Sequence, residues 1–138
     1  MDESATPPLR FVVPAPHPLE VSFDGGRLTS DGGLPWLSEA EAALGLCTAF
    51  GALVPEWRRG PVRHPLGTLV RQRVFQIACG YEDQNDAATL RTDPLLKVVC
   101  GRLPESGADL ASQPTFSRQE NAPNGPACYR LALALLAV

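Results

Sequence analysis

The sequence predicts a mainly α-helical protein: a short N-terminal β-hairpin followed by a compact bundle of about five or six short helices. Two observations lead to this prediction. After residue 30, apolar residues recur at helical spacing in stretches that end at glycine or proline, whereas just before it they alternate with polar residues. At 138 residues, 44% hydrophobic and 20% charged, the chain has the size and composition of one globular domain.

The N-terminal region divides into an arm and the predicted hairpin. Residues 1–18 contain five prolines and little periodicity, so we expect a Pro-rich flexible arm. The sequence LEVSF then alternates apolar and polar residues, and Asp24-Gly25 favours a tight turn. These features predict strands over 19–23 and 27–29. The glycine pair lacks the lysine and the helix start of a phosphate-binding loop.

The strongest helix prediction covers residues 65–79 and ends at Gly80. Arg73 falls within the apolar stripe of this helix. A guanidinium on a core-facing side must be paired, so we predict an ion pair of Arg73 with Asp86 or Asp93, which follow closely in the chain. The residues of the stripe are Leu66, Leu69, Val70, Val74, Ile77 and Ala78.

The segment after this helix concentrates acidic residues that could hold a metal ion. A calcium-binding loop needs a glycine at its sixth position and a glutamate at its twelfth. Counted from Asp83, those positions hold Ala88 and Pro94, so the pattern fails. A free-standing metal hydrolase that uses the acids of residues 82–93 remains an alternative.

Helix capping explains the same acids better. Asp83 is placed to start a helix over 84–91. Thr92 or Asp93 is placed to cap the next helix, with Pro94 in its first turn. We therefore predict structural carboxylates and no metal ligand.

Charge is distributed unevenly along a chain whose net charge is -3. Five arginines and no acid lie between Trp57 and Tyr81, whereas the rest of the chain carries seven cations and fifteen acids. This asymmetry indicates one positive face on an acidic body. The alternative is a solvated surface with some internal ion pairs.

The four cysteines are too far apart for a zinc motif, with separations of 32, 21 and 28 residues. The N-terminus, MDESATPP, is acidic and polar, unlike a signal peptide. We therefore expect reduced thiols in a cytoplasmic protein. The cysteines are Cys47, Cys79, Cys100 and Cys128.

The last segment, ACYRLALALLAV, is apolar on nearly every side. Its longest apolar run of eight residues is far shorter than the roughly 20 that a membrane span needs, so we expect no membrane partner. A helix of this kind requires cover from several directions. We expect a continuation into a larger protein, or self-association through this exposed C-terminal helix.

Three long stretches carry a resemblance to a known family. The sequences FDGGRLTSDGGLPWLSEAEAALGL, VRQRVFQIACGYEDQNDAATLRTDPLLKVVCGR and LASQPTFSRQEN occur in that order. They resemble the N-terminal part of bacterial insertion-sequence transposases of the DDE class (DDE transposase group 1), over about residues 19–137. The resemblance implies a helical N-terminal transposase domain over 19–125 and, over 126–138, an apolar helix leading into a ribonuclease-H-like core.

The resemblance also implies what this chain lacks. DDE transposases use two metal ions held by three carboxylates, and the first of these lies beyond the last helix predicted here. None of Asp24, Asp31, Asp83, Asp86 and Asp93 matches a catalytic position, so we expect no catalytic residue and no cofactor. Mg²⁺ or Mn²⁺ is expected only for the missing core. The implied role is that of a truncated transposase, inactive alone, which contributes DNA binding or assembly.

The arginine-rich loop and the following helix supply the candidate DNA contacts. Basic clusters attract phosphates, and the implied partner is the double-stranded DNA of transposon ends. The alternative is a helical protein-interaction module with no nucleic-acid role. The candidate residues are Arg58, Arg59, Arg63, His64 and Arg71.

Overall fold

The computed structural model describes residues 9–11, 19–21 and 29–137. Two short strands, β1 (Leu9–Phe11) and β2 (Leu19–Val21), pair antiparallel, with Leu9 opposite Val21. The hairpin predicted from strands 19–23 and 27–29 is not confirmed. Part of its first strand is β2, but β2 pairs with β1, whose residues were expected in the arm, and residues 22–28 lie outside the described part.

The described residues are mainly helical, as predicted, with seven α-helices rather than five or six. Gly45 separates the first two helices because it adopts a left-handed conformation (φ 69°) that L-residues rarely adopt. A 3-10 turn, Gln84–Asp86, precedes the fourth helix. The helices are α1 (Leu34–Leu44), α2 (Leu46–Leu53), α3 (Leu66–Ala78), α4 (Ala87–Leu90), α5 (Pro94–Val99), α6 (Gln113–Glu120) and α7 (Gly125–Leu136).

Two clusters of buried side chains form the core. The larger one joins α1, α2, α3, α4 and α5, and the smaller one lies where α3 meets α4 and α6, with Trp57 packed against it. The larger cluster contains Leu34, Cys47, Val70, Phe75, Leu90, Leu96, Val99, Cys100 and Leu110. The smaller cluster contains Leu69, Ala87, Ala111 and Phe116.

The face of α3 that is buried differs from the predicted apolar stripe. Gln72 and Gln76 are buried, whereas Ile77 is 49% exposed. Gln72 turns inward because its side-chain amide forms two hydrogen bonds with the backbone of Ala111. Its Nε2 donates to the Ala111 carbonyl, and its Oε1 accepts from the Ala111 N–H, both at 2.9 Å. An amide whose hydrogen bonds are satisfied can be buried at little cost. The pattern of apolar and polar residues therefore did not identify the buried face of α3.

Helix α7 packs against α2 along one side. Ala127 is its one buried residue among those described. Most of its large side chains face solvent, and Leu136 is 83% exposed. In the part of the chain that the structure describes, no helix is long and apolar enough to cross a bilayer.

We predict that Gln72→Leu destabilises the protein by about 2–5 kcal/mol, because the buried N–H and C=O of Ala111 each lose their partner. The free energy of unfolding, measured by urea denaturation, checks this expectation.

Gln76→Leu is the matched control for Gln72→Leu. Gln76 lies on the same helix and is equally buried, but its Nε2 has no hydrogen-bond partner in the described structure. The same chemical change there should cost less than about 1 kcal/mol. Equal losses in the two variants would show that the bonds to Ala111 contribute nothing.

Candidate nucleic-acid interface

Two acids of residues 82–93, Asp83 and Asp93, cap short helices, as predicted. Asp83 accepts from the Asn85 N–H (2.8 Å) at the 3-10 turn. Asp93 caps α5, where it accepts from the Leu96 N–H (2.8 Å), and Pro94 occupies the first turn. Within residues 29–137 and the two strands, no group of three His, Cys, Asp or Glu side chains could hold a metal ion.

Arg73 is paired, but its partner is Glu120 instead of Asp86 or Asp93. Its Nε lies 2.6 Å from Glu120 Oε1, and its guanidinium also donates to the carbonyls of Tyr81 and Glu82. Glu120 reaches this point because α6 packs against the 3-10 turn. The pairing crosses 47 residues of sequence, so proximity along the chain pointed to the wrong acids.

Arg58 holds the arginine-rich loop in place. Its guanidinium binds Glu56 through two donors, donates to the His64 carbonyl and stacks 5.0 Å from the centre of the Trp57 ring. These hydrogen bonds from Arg58 lower the pKa of the Glu56 carboxyl to about 2, so the charge pair persists at neutral pH. Arg58 is therefore largely neutralised and has a structural role.

Arg59 and Arg63 remain as the unpaired cations of this loop. Both are exposed. Neither has a hydrogen bond or an ion pair with any residue that the structure describes. Their charges are available to an external anion.

Arg102 lies just beyond the end of α5 and contacts this loop, and the charge pattern of the sequence did not point to it. It donates to the carbonyls of Ala108 and Asp109 and lies 3.0 Å from His64 Nδ1. All these acceptors are uncharged, so its positive charge is not neutralised. It lies 38 residues from His64 in sequence, and no local pattern links the two.

His64 is half-buried among arginines. Burial, followed by the charges of Arg102, Arg63 and Arg58, lowers its pKa below the usual 6.5. The ring is therefore neutral at pH 7, and its Nδ1 accepts from Arg102. We call Arg59, Arg63, His64 and Arg102 the basic surface.

Arg71, the last candidate, lines a cleft of about 340 Å³ between α2, α3 and the end of α5. Its Nη2 is 4.0 Å from the buried carboxylate of Glu41, and its guanidinium lies 5.7 Å from the centre of the Phe75 ring. We call this cavity the Arg71 cleft. It is lined by Cys47, Thr48, Gly67, Thr68, Arg71, Cys100 and Gly101.

The thiols at the Arg71 cleft are poor candidates for chemistry. Burial is the main reason that the pKa values of Cys47 and Cys100 rise to about 12. Both thiols are therefore protonated at neutral pH, and a protonated thiol is a weak nucleophile and a weak metal ligand. All four cysteines lie in the described part of the chain, and none forms a disulfide.

We predict that acidification destabilises the wild type more than His64→Gln. The folded state holds His64 with a pKa below 6.5, so below that pH the unfolded chain takes up a proton that the folded chain resists. Stability from this group is fully present above pH 6.5 and falls as the pH drops toward the folded pKa. Urea denaturation of both proteins at about pH 7.5 and pH 5.5 measures the difference. An identical pH dependence in both would contradict the electrostatic environment described for His64.

Comparison with known proteins adds the family. Residues 13–137, nearly the whole chain, match the model of the transposase DDE domain group 1 family. The comparison with curated proteins and the comparison with solved structures each gave no match. The family match confirms the resemblance carried by the three sequence stretches. The chain therefore belongs to the transposase DDE domain group 1 family, and its function is related to transposition.

Proposed function

We propose that this chain contributes DNA binding to transposition and that the basic surface contacts DNA phosphates. The observation that carries the proposal is that the arginines of this surface have no acidic partner in the described structure. Arg59 and Arg63 are exposed and unpaired within the described structure, and the nearby Arg102 bonds only to uncharged acceptors. Such cations bind phosphates with release of counterions. Arg58 stabilises the loop through its hydrogen bonds to Glu56 and to the His64 carbonyl.

The aromatic residue beside this surface favours duplex DNA over single strands. Proteins that grip single strands stack bases on exposed aromatic rings. Trp57 is half-buried, packs against the smaller core cluster and carries Arg58 against its ring. Its ring therefore already contacts the core and Arg58 and is not free to stack on a base. The proposed partner is double-stranded DNA, which exposes phosphates without unstacked bases.

We propose further that the chain does not cut DNA alone and that the Mg²⁺ or Mn²⁺ of the reaction belongs to a catalytic core outside it. The use of its carboxylates supports this. Asp83 and Asp93 cap helices, Glu120 pairs with Arg73, and Glu41 accepts from the Cys47 N–H. A plasmid-nicking assay with either metal tests the proposal, and cleavage by the purified chain would refute it.

Helix α7 supports a second candidate function, which is assembly. Three of its exposed apolar side chains, Tyr129, Leu133 and Leu136, share one side of the helix and form an uncovered surface. If this surface mediates self-association, Leu133→Glu should convert a dimer to a monomer in sedimentation equilibrium, without loss of helical content. A wild-type protein that is monomeric at every concentration would argue against assembly through α7.

We predict that Arg59→Gln combined with Arg63→Gln lowers duplex affinity and reduces the slope of log K against log salt by about 2, because two phosphate contacts are lost. Fluorescence anisotropy over a salt series measures both quantities. The fold should be unchanged, because neither side chain has a partner in the described structure.

Arg118→Gln combined with Arg130→Gln provides the charge-matched control. Both arginines are exposed on other elements, α6 and α7, and their removal changes the net charge by the same amount. A DNA affinity that falls equally in both double variants would show general charge attraction rather than a defined surface. An affinity that is insensitive to salt would contradict phosphate binding altogether.

A further inference from the structure

We propose that the Arg71 cleft is a binding site for one phosphate group. The chemical class of ligand is a tetrahedral oxyanion, free in solution or carried by a DNA backbone. For the DNA-borne source, the inference rests on the proposed function and adds a specific contact to it.

The first observation is the state of Arg71. A guanidinium carries five N–H donors. In the described structure none of them has a hydrogen-bond acceptor, since the 4.0 Å contact to Glu41 is too long for one and the contact to Phe75 is with the ring. The side chain is 21% exposed and lines the cleft, so part of it faces the cavity. A donor-rich group of this kind on the wall of a cleft suits an anion with several acceptor oxygens.

The second observation is independent of Arg71 and concerns the start of α3. The helix follows Pro65, which provides no side-chain cap. Within the described residues, the backbone N–H groups of Leu66, Gly67 and Thr68 have no acceptor. Gly67 and Thr68 line the same cleft as Arg71, and the hydroxyls of Thr48 and Thr68 add two further donors.

The charge balance around the cleft also favours an anion. The carboxylate of Glu41 opposes Arg71, but its Oε1 already accepts from the Cys47 N–H at 2.9 Å. Arg102 directly follows Cys100 and Gly101, which line the wall of the cleft, so a second cation lies next to this wall in the chain. Among the described residues that line the cleft, Arg71 is the one charged side chain.

Arg102 also connects the cleft to the basic surface, since it bonds to His64 there. A DNA strand lying on the basic surface would thus find a further phosphate site beside it. This continuity makes the DNA backbone the expected source of the phosphate, with inorganic phosphate as a mimic.

Gly67→Asp is the decisive variant. A side chain added at Gly67 meets no atom within 4 Å, and its φ is not positive, so the residue fits. An acid in the first turn of a helix stabilises the helix, while its charge repels an anion in the cleft. Gly125→Asp is the matched control, because Gly125 lies in the first turn of α7 and is equally open.

The first experiment titrates ¹⁵N-labelled protein with inorganic phosphate at constant ionic strength. We expect chemical-shift changes at Gly67, Thr68 and Thr48 that saturate in the wild type and in Gly125→Asp, whereas in Gly67→Asp those at Thr68 and Thr48 vanish. A wild-type spectrum that is unchanged by phosphate, or changes that persist in Gly67→Asp, would overturn the inference.

The second experiment identifies the source of the phosphate by measuring duplex DNA binding over a salt series. If DNA supplies it, Gly67→Asp lowers affinity and reduces the salt slope by about 1, while Gly125→Asp does not. Phosphate binding with unaltered DNA binding would assign the cleft to free phosphate and overturn the DNA-borne source. Phosphate binding without any DNA binding by the wild type would refute the proposed function and leave the cleft as an oxyanion site.

Discussion

The paired hydrogen bonds between the Gln72 side chain and the Ala111 backbone constrain the rest of this structure. They fix the chain before α6 against α3, and the Leu110 N–H extends the attachment by donating to the Arg91 carbonyl. Ala111 and Phe116 can then complete the smaller core cluster, on which Trp57 rests. Trp57 in turn supports Arg58 and the arginine-rich loop. A polar contact buried in the core thus sets the position of a charged surface.

Local interactions were readable from the sequence, and distant ones were not. The bounds of α3 and the caps at Asp83 and Asp93 depend on neighbours within a few residues, so the pattern predicted them. The buried face of α3 was misjudged because an inward glutamine is stable only with a partner, and that partner lies 39 residues away. The Arg73 ion pair was assigned to the wrong acids for the same reason. Arg102 could not be linked to the arginine-rich loop from the sequence, because it lies 38 residues from His64 and only the fold brings the two together.

Counting charges along a sequence treats every arginine alike, but the fold sorts them by their partners. Arg58 and Arg73 bind acids at 2.6 Å and keep the loop and α6 in place. Among the arginines of residues 58–73, Arg59 and Arg63 have no acidic partner in the described structure. The charge of Arg71 is partly offset by Glu41, whose carboxylate lies 4.0 Å away. An electrostatic surface is therefore defined by the cations that lack acids, and these are fewer than the sequence suggests.

Two acids in the stretches that carry the family resemblance are likewise engaged by partners that the fold brings to them. Thr29 donates to one oxygen of Asp93 and the Leu96 N–H to the other, so the carboxylate joins the chain before α1 to the start of α5. Asp31 accepts from the Tyr81 hydroxyl, and burial is the main cause that raises the pKa of this carboxyl. Hydrogen bonds from distant segments explain the positions of these carboxylates, so no metal ion is needed to explain them. Asp31 and Asp93, which lie in these stretches, thus hold distant segments of the fold together.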